Sequence, residues 1–130
     1  MINTLKKKKF TRNLQEIPGT IYPNDVFVFK GFTFEEAKAD LLGICGEDYE
    51  IYINENTFST PGHTIKTPQG LILIMLREDQ RNEYDVIAHE CFHATEFIME
   101  YIGMPHSNDT SEAFAYLLGY FVKEITSDDK

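Results

Sequence analysis

The chain has no tryptophan and only two cysteines, Cys45 and Cys91, in its 130 residues. Two cysteines provide neither a disulfide framework nor a paired-cysteine metal signature, so both read as free thiols in a reducing, cytoplasmic setting. No apolar window approaches the roughly 20 residues that a membrane-crossing helix needs. The eight glycines are isolated, which excludes a glycine-rich phosphate loop. Cations are scarce and unevenly placed. Five of the twelve Lys and Arg residues fall in the first twelve positions, with no acid among them, leaving seven against all twenty-one acids in the remainder. An acidic body argues against nucleic acid as a partner, because each backbone phosphate contact needs a cation. Residues 1–12 read as a basic arm or edge strand that could touch an acidic partner or stay solvated. The Lys6-Lys7-Lys8-Lys9 run is followed by residues 10–16 without an apolar stretch, so a secretory leader is not expected.

What is present is the composition of a folded protein, 42% hydrophobic and 25% charged, with a length that suits one domain over 1–130. Asp25-Val26-Phe27-Val28-Phe29 is short, aromatic and β-branched, and reads as a strand ending at Gly31. Residues 33–42 read as a helix, with Thr33 and Glu36 as its capping pair and Phe34, Ala37 and Leu41 on one face. Residues 49–53 read as a strand, and residues 54–70 as a polar stretch punctuated by glycine and proline. The uninterrupted run Leu71-Ile72-Leu73-Ile74-Met75-Leu76 reads as a buried strand. From Asn82 the period changes to that of a helix running to about Ile102, with Asn82 and Asp85 as a candidate cap and Gly103 and Pro105 as the stop. A second helix is expected from about Asp109 to about Ile125. The expected fold is α+β: a small N-terminal, mostly antiparallel sheet with one early helix, packed against two long C-terminal helices. Phe92, Phe97, Ile98, Tyr101 and Ile102 are expected to bury against Phe114, Leu117, Leu118, Phe121 and Val122.

The first of those helices carries His89-Glu90-Cys91-Phe92-His93. Residues four apart lie on one helical face, roughly 6 Å apart, so the two imidazoles can converge on one cation. Zinc accepts histidine nitrogens at about 2.0–2.1 Å and needs further ligands to complete a tetrahedron. Glu90, one position beyond His89, falls beside such a metal and can take a proton from its water. A catalytic site needs a third protein ligand. Glu112, the first acid of the second helix, is the leading candidate, although Asp109 and Glu112 also make a capping box that needs no metal. His106, on the interhelix loop, is the rival ligand; it could instead donate to an oxyanion or face solvent. Tyr116, one turn after Glu112, could bond an intermediate oxygen or pack. Asp85, one turn before His89, could hold the outer nitrogen of a liganding histidine or serve the helix start.

His89-Glu90-Cys91-Phe92-His93 followed by Ser111-Glu112-Ala113-Phe114-Ala115-Tyr116 resembles the zincin metallopeptidases, in the branch whose third ligand is a glutamate on the following helix. With so small a domain, it is similar to compact peptidase-like proteins of bacteriophages and mobile elements. The resemblance covers residues 71–125. It implies zinc held by His89, His93 and Glu112, with Glu90 activating water for attack on a peptide carbonyl. It further implies that the 71–76 strand lies above the cleft and pairs with an extended peptide or protein substrate. Relatives often carry an aspartate one turn after the ligand glutamate, where this chain has Tyr116. The alternative implied by that departure is a zincin-like binding or regulatory protein. Nothing in the chain fixes the scissile bond or the oligomeric state.

Overall fold

A computed structural model of the chain describes residues 14–17, 22, 24–30, 39, 60–67 and 70–127. Among the described residues four strands, β1 (Leu14–Ile17), β2 (Val26–Lys30), β3 (Gly62–Lys66) and β4 (Ile72–Leu76), precede two long helices, α1 (Tyr84–Tyr101) and α2 (Ser111–Ser127). The α+β expectation with two long C-terminal helices is borne out. The early helix at 33–42, apart from Ala39, the strand at 49–53 and the basic arm at 1–12 lie outside the described residues.

The sheet order is β1-β2-β4-β3. β1 pairs antiparallel with β2, β3 antiparallel with β4, and the central pair β2 and β4 runs parallel with Val28 opposite Ile74. Every residue of β2 and β4 is buried. Burial on both faces is why residues 26–29 of β2 and the whole of β4 are unbroken apolar runs and not alternating ones. Val26, Val28, Ile72, Ile74 and Leu76 face the helices and share a core with Ile87, Cys91, Ala94 and Ile98 of α1 and Phe114, Leu117, Phe121 and Ile125 of α2. On α2 those positions recur at three- and four-residue intervals, the apolar stripe of an amphipathic helix. Lys30 also points this way. Its buried ammonium donates to the Ile125 carbonyl at 2.7 Å, satisfying an end carbonyl at the negative pole of α2.

Two sequence expectations are corrected by this topology. Residues 62–66, read as part of a polar loop, form β3. The strand at 71–76, expected above the cleft with an edge free for substrate, is hydrogen-bonded on both sides by β2 and β3. The edge beside α1 is β3, which among the described residues pairs only with β4.

α1 starts after Glu83 with no side-chain capping bond, so the Asn82 and Asp85 cap does not form. Its end is a Schellman motif: Gly103, at φ +80°, donates to the Glu100 carbonyl at 3.0 Å, and Met104 to that of Met99 at 2.7 Å. Thr110 prepares the start of α2. Its hydroxyl donates to the Pro105 carbonyl at 2.8 Å and accepts from the Ser107 amide at 2.9 Å, while its carbonyl takes the amide of Phe114 at 3.0 Å. Among the described residues no helix is long and apolar enough to cross a membrane.

The turn that leads into β4 depends on Gly70, at φ +91°. A Cβ there would lie 3.0 Å from Asn24 Nδ2 and 3.1 Å from Tyr101 Cζ, and the Gly70 carbonyl accepts from Asn24 Nδ2 at 2.6 Å. Gly70→Ala is therefore expected to cost about 1–3 kcal/mol of stability, from strained backbone and crowding together. Urea unfolding checks this; an unchanged midpoint would contradict it.

Candidate metal and hydrolytic site

α1 brings His89 and His93 to one face one turn apart, and their rings meet edge to face with centroids 4.8 Å apart. His89 Nε2 lies 3.2 Å from His93 Nε2. Two nitrogens bound to one tetrahedral zinc at 2.0–2.1 Å are separated by roughly 3.3–3.4 Å. The two Nε2 atoms thus already stand about as far apart as a shared cation would hold them.

Glu90 turns from this face towards the sheet and is only 5% exposed. The Thr64 hydroxyl of β3 donates to Glu90 Oε1 at 2.5 Å and lies 3.3 Å from the Glu90 carbonyl oxygen. One residue pair earlier, a Cβ on Gly62 would come within 2.8 Å of Glu90 Cγ and 3.0 Å of both Glu90 Oε2 and Val86 Cγ1. β3 therefore lies directly against α1 at the carboxylate, and the missing side chain at Gly62 permits that approach. Burying a carboxylate without a partner is costly; the Thr64 hydroxyl supplies one.

Two depressions flank this contact. One, of about 310 Å³, is lined by Pro61, Gly62, Asp85, Val86, His89 and Glu90. The other, of about 300 Å³, is lined by Gly62, His63, Thr64, His89, Glu90, His93 and Phe97. Gly62, His89 and Glu90 border both. Phe97 stacks beside His93 at 6.5 Å, and the Lys66 ammonium sits 5.1 Å above the Phe97 ring, a cation–π contact at the far end of the second depression. Cys91 is free and fully buried. Burial, with a smaller contribution from the Glu90 charge, pushes its thiol up to about 12, and the side chain packs in the core with Ile87, Ala94 and Ile98.

The other expected site residues do not join this group. Glu112 is exposed on the first turn of α2, and among the described residues no three His, Cys, Asp or Glu side chains cluster closely enough to hold a metal ion. Nor does the Asp109 and Glu112 capping box form, since Thr110 and Ser107 knit the turn instead. The reason lies in the helix period. Phe114 is anchored in the core beside Phe92, with ring centroids 5.4 Å apart. Glu112 and Tyr116 each stand two residues from it, about 200° around the helix. Both are thereby turned outward, and Tyr116 is 76% exposed. His106 is exposed and sets its ring edge-on to Phe114 at 4.8 Å. Neither His106 nor Tyr116 borders either depression, so the expected oxyanion roles have no geometric support. Asp85 lines the first depression but makes no bond to His89. The carboxylate beside a site histidine is instead Glu96, whose Oε1 lies 3.4 Å from His93 Nδ1.

Gly62, Thr64 and Glu96 were missed from sequence. Glu96 carried a signal, since it continues the face of His89 and His93 at i+7. Gly62 and Thr64 alternate towards α1 only once residues 62–66 are known to be a strand. No protein-family model, curated protein or solved structure matches the chain.

Proposed function

We propose that the chain is a zinc-dependent hydrolase of peptide or related amide bonds, with His89 and His93 as the metal-holding pair and Glu90 as the general base. The 3.2 Å approach of the two Nε2 atoms carries this reading. Zinc, when bound, supplies Lewis acidity towards a carbonyl and lowers the pKa of water at its open position. Glu90 accepts the proton of the attacking water and returns it to the leaving nitrogen. Thr64 occupies Oε1, which leaves Oε2, beside Gly62, for that proton. An extended peptide or protein substrate would lie along the edge of β3 that has no partner strand among the described residues, across both depressions, with its scissile bond near Gly62, His89 and Glu90. Glu112 remains the proposed third ligand on the strength of the sequence pattern alone. A cytoplasmic setting, suited to a free Cys91, belongs to the same proposal.

A second reading, a zinc-binding regulatory protein such as mobile elements encode, is favoured by one observation: Glu112 stands apart from the histidine pair. Incubating the protein with unfolded polypeptides and peptide mixtures separates the two. The hydrolase reading expects new amino termini that vanish on chelation and return with zinc, and slower turnover with weaker zinc retention in Glu112→Ala. Cleavage that survives chelation would defeat it, and stoichiometric zinc without cleavage would favour the regulatory reading.

A further inference from the structure

Imidazoles that bind metals are usually oriented by an acceptor on the ring nitrogen facing away from the metal. A carboxylate reaches His93 from its own helix. Glu96 Oε1 lies 3.4 Å from His93 Nδ1, while Nε2 of the same ring faces His89 Nε2 at 3.2 Å. Glu96 therefore stands on the outer side of the ring and not where a cation shared by the two Nε2 atoms would sit. The rings of Phe92 and Phe97, with centroids 6.0 and 6.5 Å from that of His93, flank the same imidazole and offer Nδ1 no oxygen acceptor.

We infer that Glu96 is a positioning residue that holds His93 with its proton on Nδ1, and that His89 in the metal-free protein carries its proton on Nε2. The tautomers follow from hydrogen-bond accounting. A neutral imidazole has one N–H and one bare nitrogen, and the bond made by one nitrogen decides the state of the other. With its proton directed at Glu96, His93 presents a bare Nε2. A contact of 3.2 Å between two Nε2 atoms is then a hydrogen bond only if His89 is the donor. The pair is thus asymmetric before any metal arrives. His93 already exposes the lone pair a cation needs, whereas His89 must move its proton from Nε2 to Nδ1. Glu96 supplies the orienting carboxylate from i+3.

The tautomers stand independently of the proposed function, and their use in metal capture rests on it. Long-range nitrogen–proton correlation spectra of the metal-free protein, at a pH where imidazole is neutral, should show His93 protonated on Nδ1 and His89 on Nε2. Glu96→Ala should return His93 to protonation on Nε2. In competition with a chromophoric chelator, Glu96→Ala should bind zinc about 10–100-fold more weakly. Glu96→Gln, which keeps an acceptor but no charge, should fall between the two. The melting temperature of the metal-free protein should not change in either variant, as it would if Glu96 served packing alone. The same His93 tautomer in wild type and Glu96→Ala, or equal zinc affinities, would overturn the inference. Wild-type protein that binds no zinc but keeps the asymmetric tautomers would sink the zinc reading and leave Glu96's orienting role standing.

Discussion

On the proposed hydrolase function, Glu90→Gln is expected to retain zinc and to lose amide hydrolysis by about 10²–10⁴-fold, the usual contribution of a positioned general base. Glutamine has the shape of glutamate, and its amide oxygen can still accept from the Thr64 hydroxyl, which bonds Glu90 Oε1 at 2.5 Å. The contact between β3 and α1 therefore survives. What disappears is the capacity to take up a proton. His89 and His93 are untouched, so metal content and the approach of their Nε2 atoms should not change. Parallel measurements of zinc content and single-turnover rate test this. Undiminished turnover would reassign Glu90 as a structural carboxylate pinned between strand and helix.

Gly62→Ala is expected to destabilise the protein by about 1–3 kcal/mol, as overpacking does, and to reduce turnover about 10²-fold by misplacing Glu90. The added Cβ would meet Glu90 Cγ at 2.8 Å and Val86 Cγ1 at 3.0 Å. Neither neighbour yields easily. Val86 is β-branched and restricted to one main rotamer on a helix, and Glu90 is buried and bonded to Thr64. Either β3 backs away from α1 or the carboxylate is displaced. Zinc affinity should hardly change, because both histidines belong to α1 alone. Urea unfolding, zinc titration and turnover together distinguish the outcomes; lowered stability with normal turnover would confine Gly62 to a packing role.

The parts of the fold legible in the sequence are those with a strong period or an unbroken apolar run. The helices over 84–101 and 111–127 announced themselves by three- and four-residue spacing, and β2 and β4 by continuous burial. Strand order was not legible. An apolar run records that a strand is covered on both faces, which is true of β4, but does not say that two neighbours also occupy its edges. β3 was hidden for the complementary reason. Among the described residues Gly-His-Thr-Ile-Lys pairs with one strand and is only partly buried, so it lacks the apolar content that marks a strand.

The buried face of α1 was misjudged in a related way. Phe92 and Tyr101, placed inside by hydrophobicity, are 41% and 57% exposed, while polar Glu90 and Thr95 are buried. The sheet presses on Ile87, Cys91, Ala94 and Ile98, and β3 reaches one residue further round to cover Glu90. At the site, the histidine spacing alone fixed the pair and put Glu90 beside it. The residues that sequence placed near it through loops and a second helix, His106, Glu112 and Tyr116, depend on how α2 is rotated. Phe114 settles that rotation by packing against Phe92, a contact between helices that no local pattern reveals.

Zinc K-edge X-ray absorption of the protein, loaded with one equivalent of zinc and then dialysed, tests the central claim most directly. Two imidazole nitrogens at about 2.0–2.1 Å are expected in the first coordination shell, the remaining scatterers being oxygen. Both imidazole contributions should be lost when His89 and His93 are replaced together by alanine. A sulfur scatterer at about 2.3 Å, or zinc that washes out of the wild-type protein, would contradict the assignment of His89 and His93 as a metal pair.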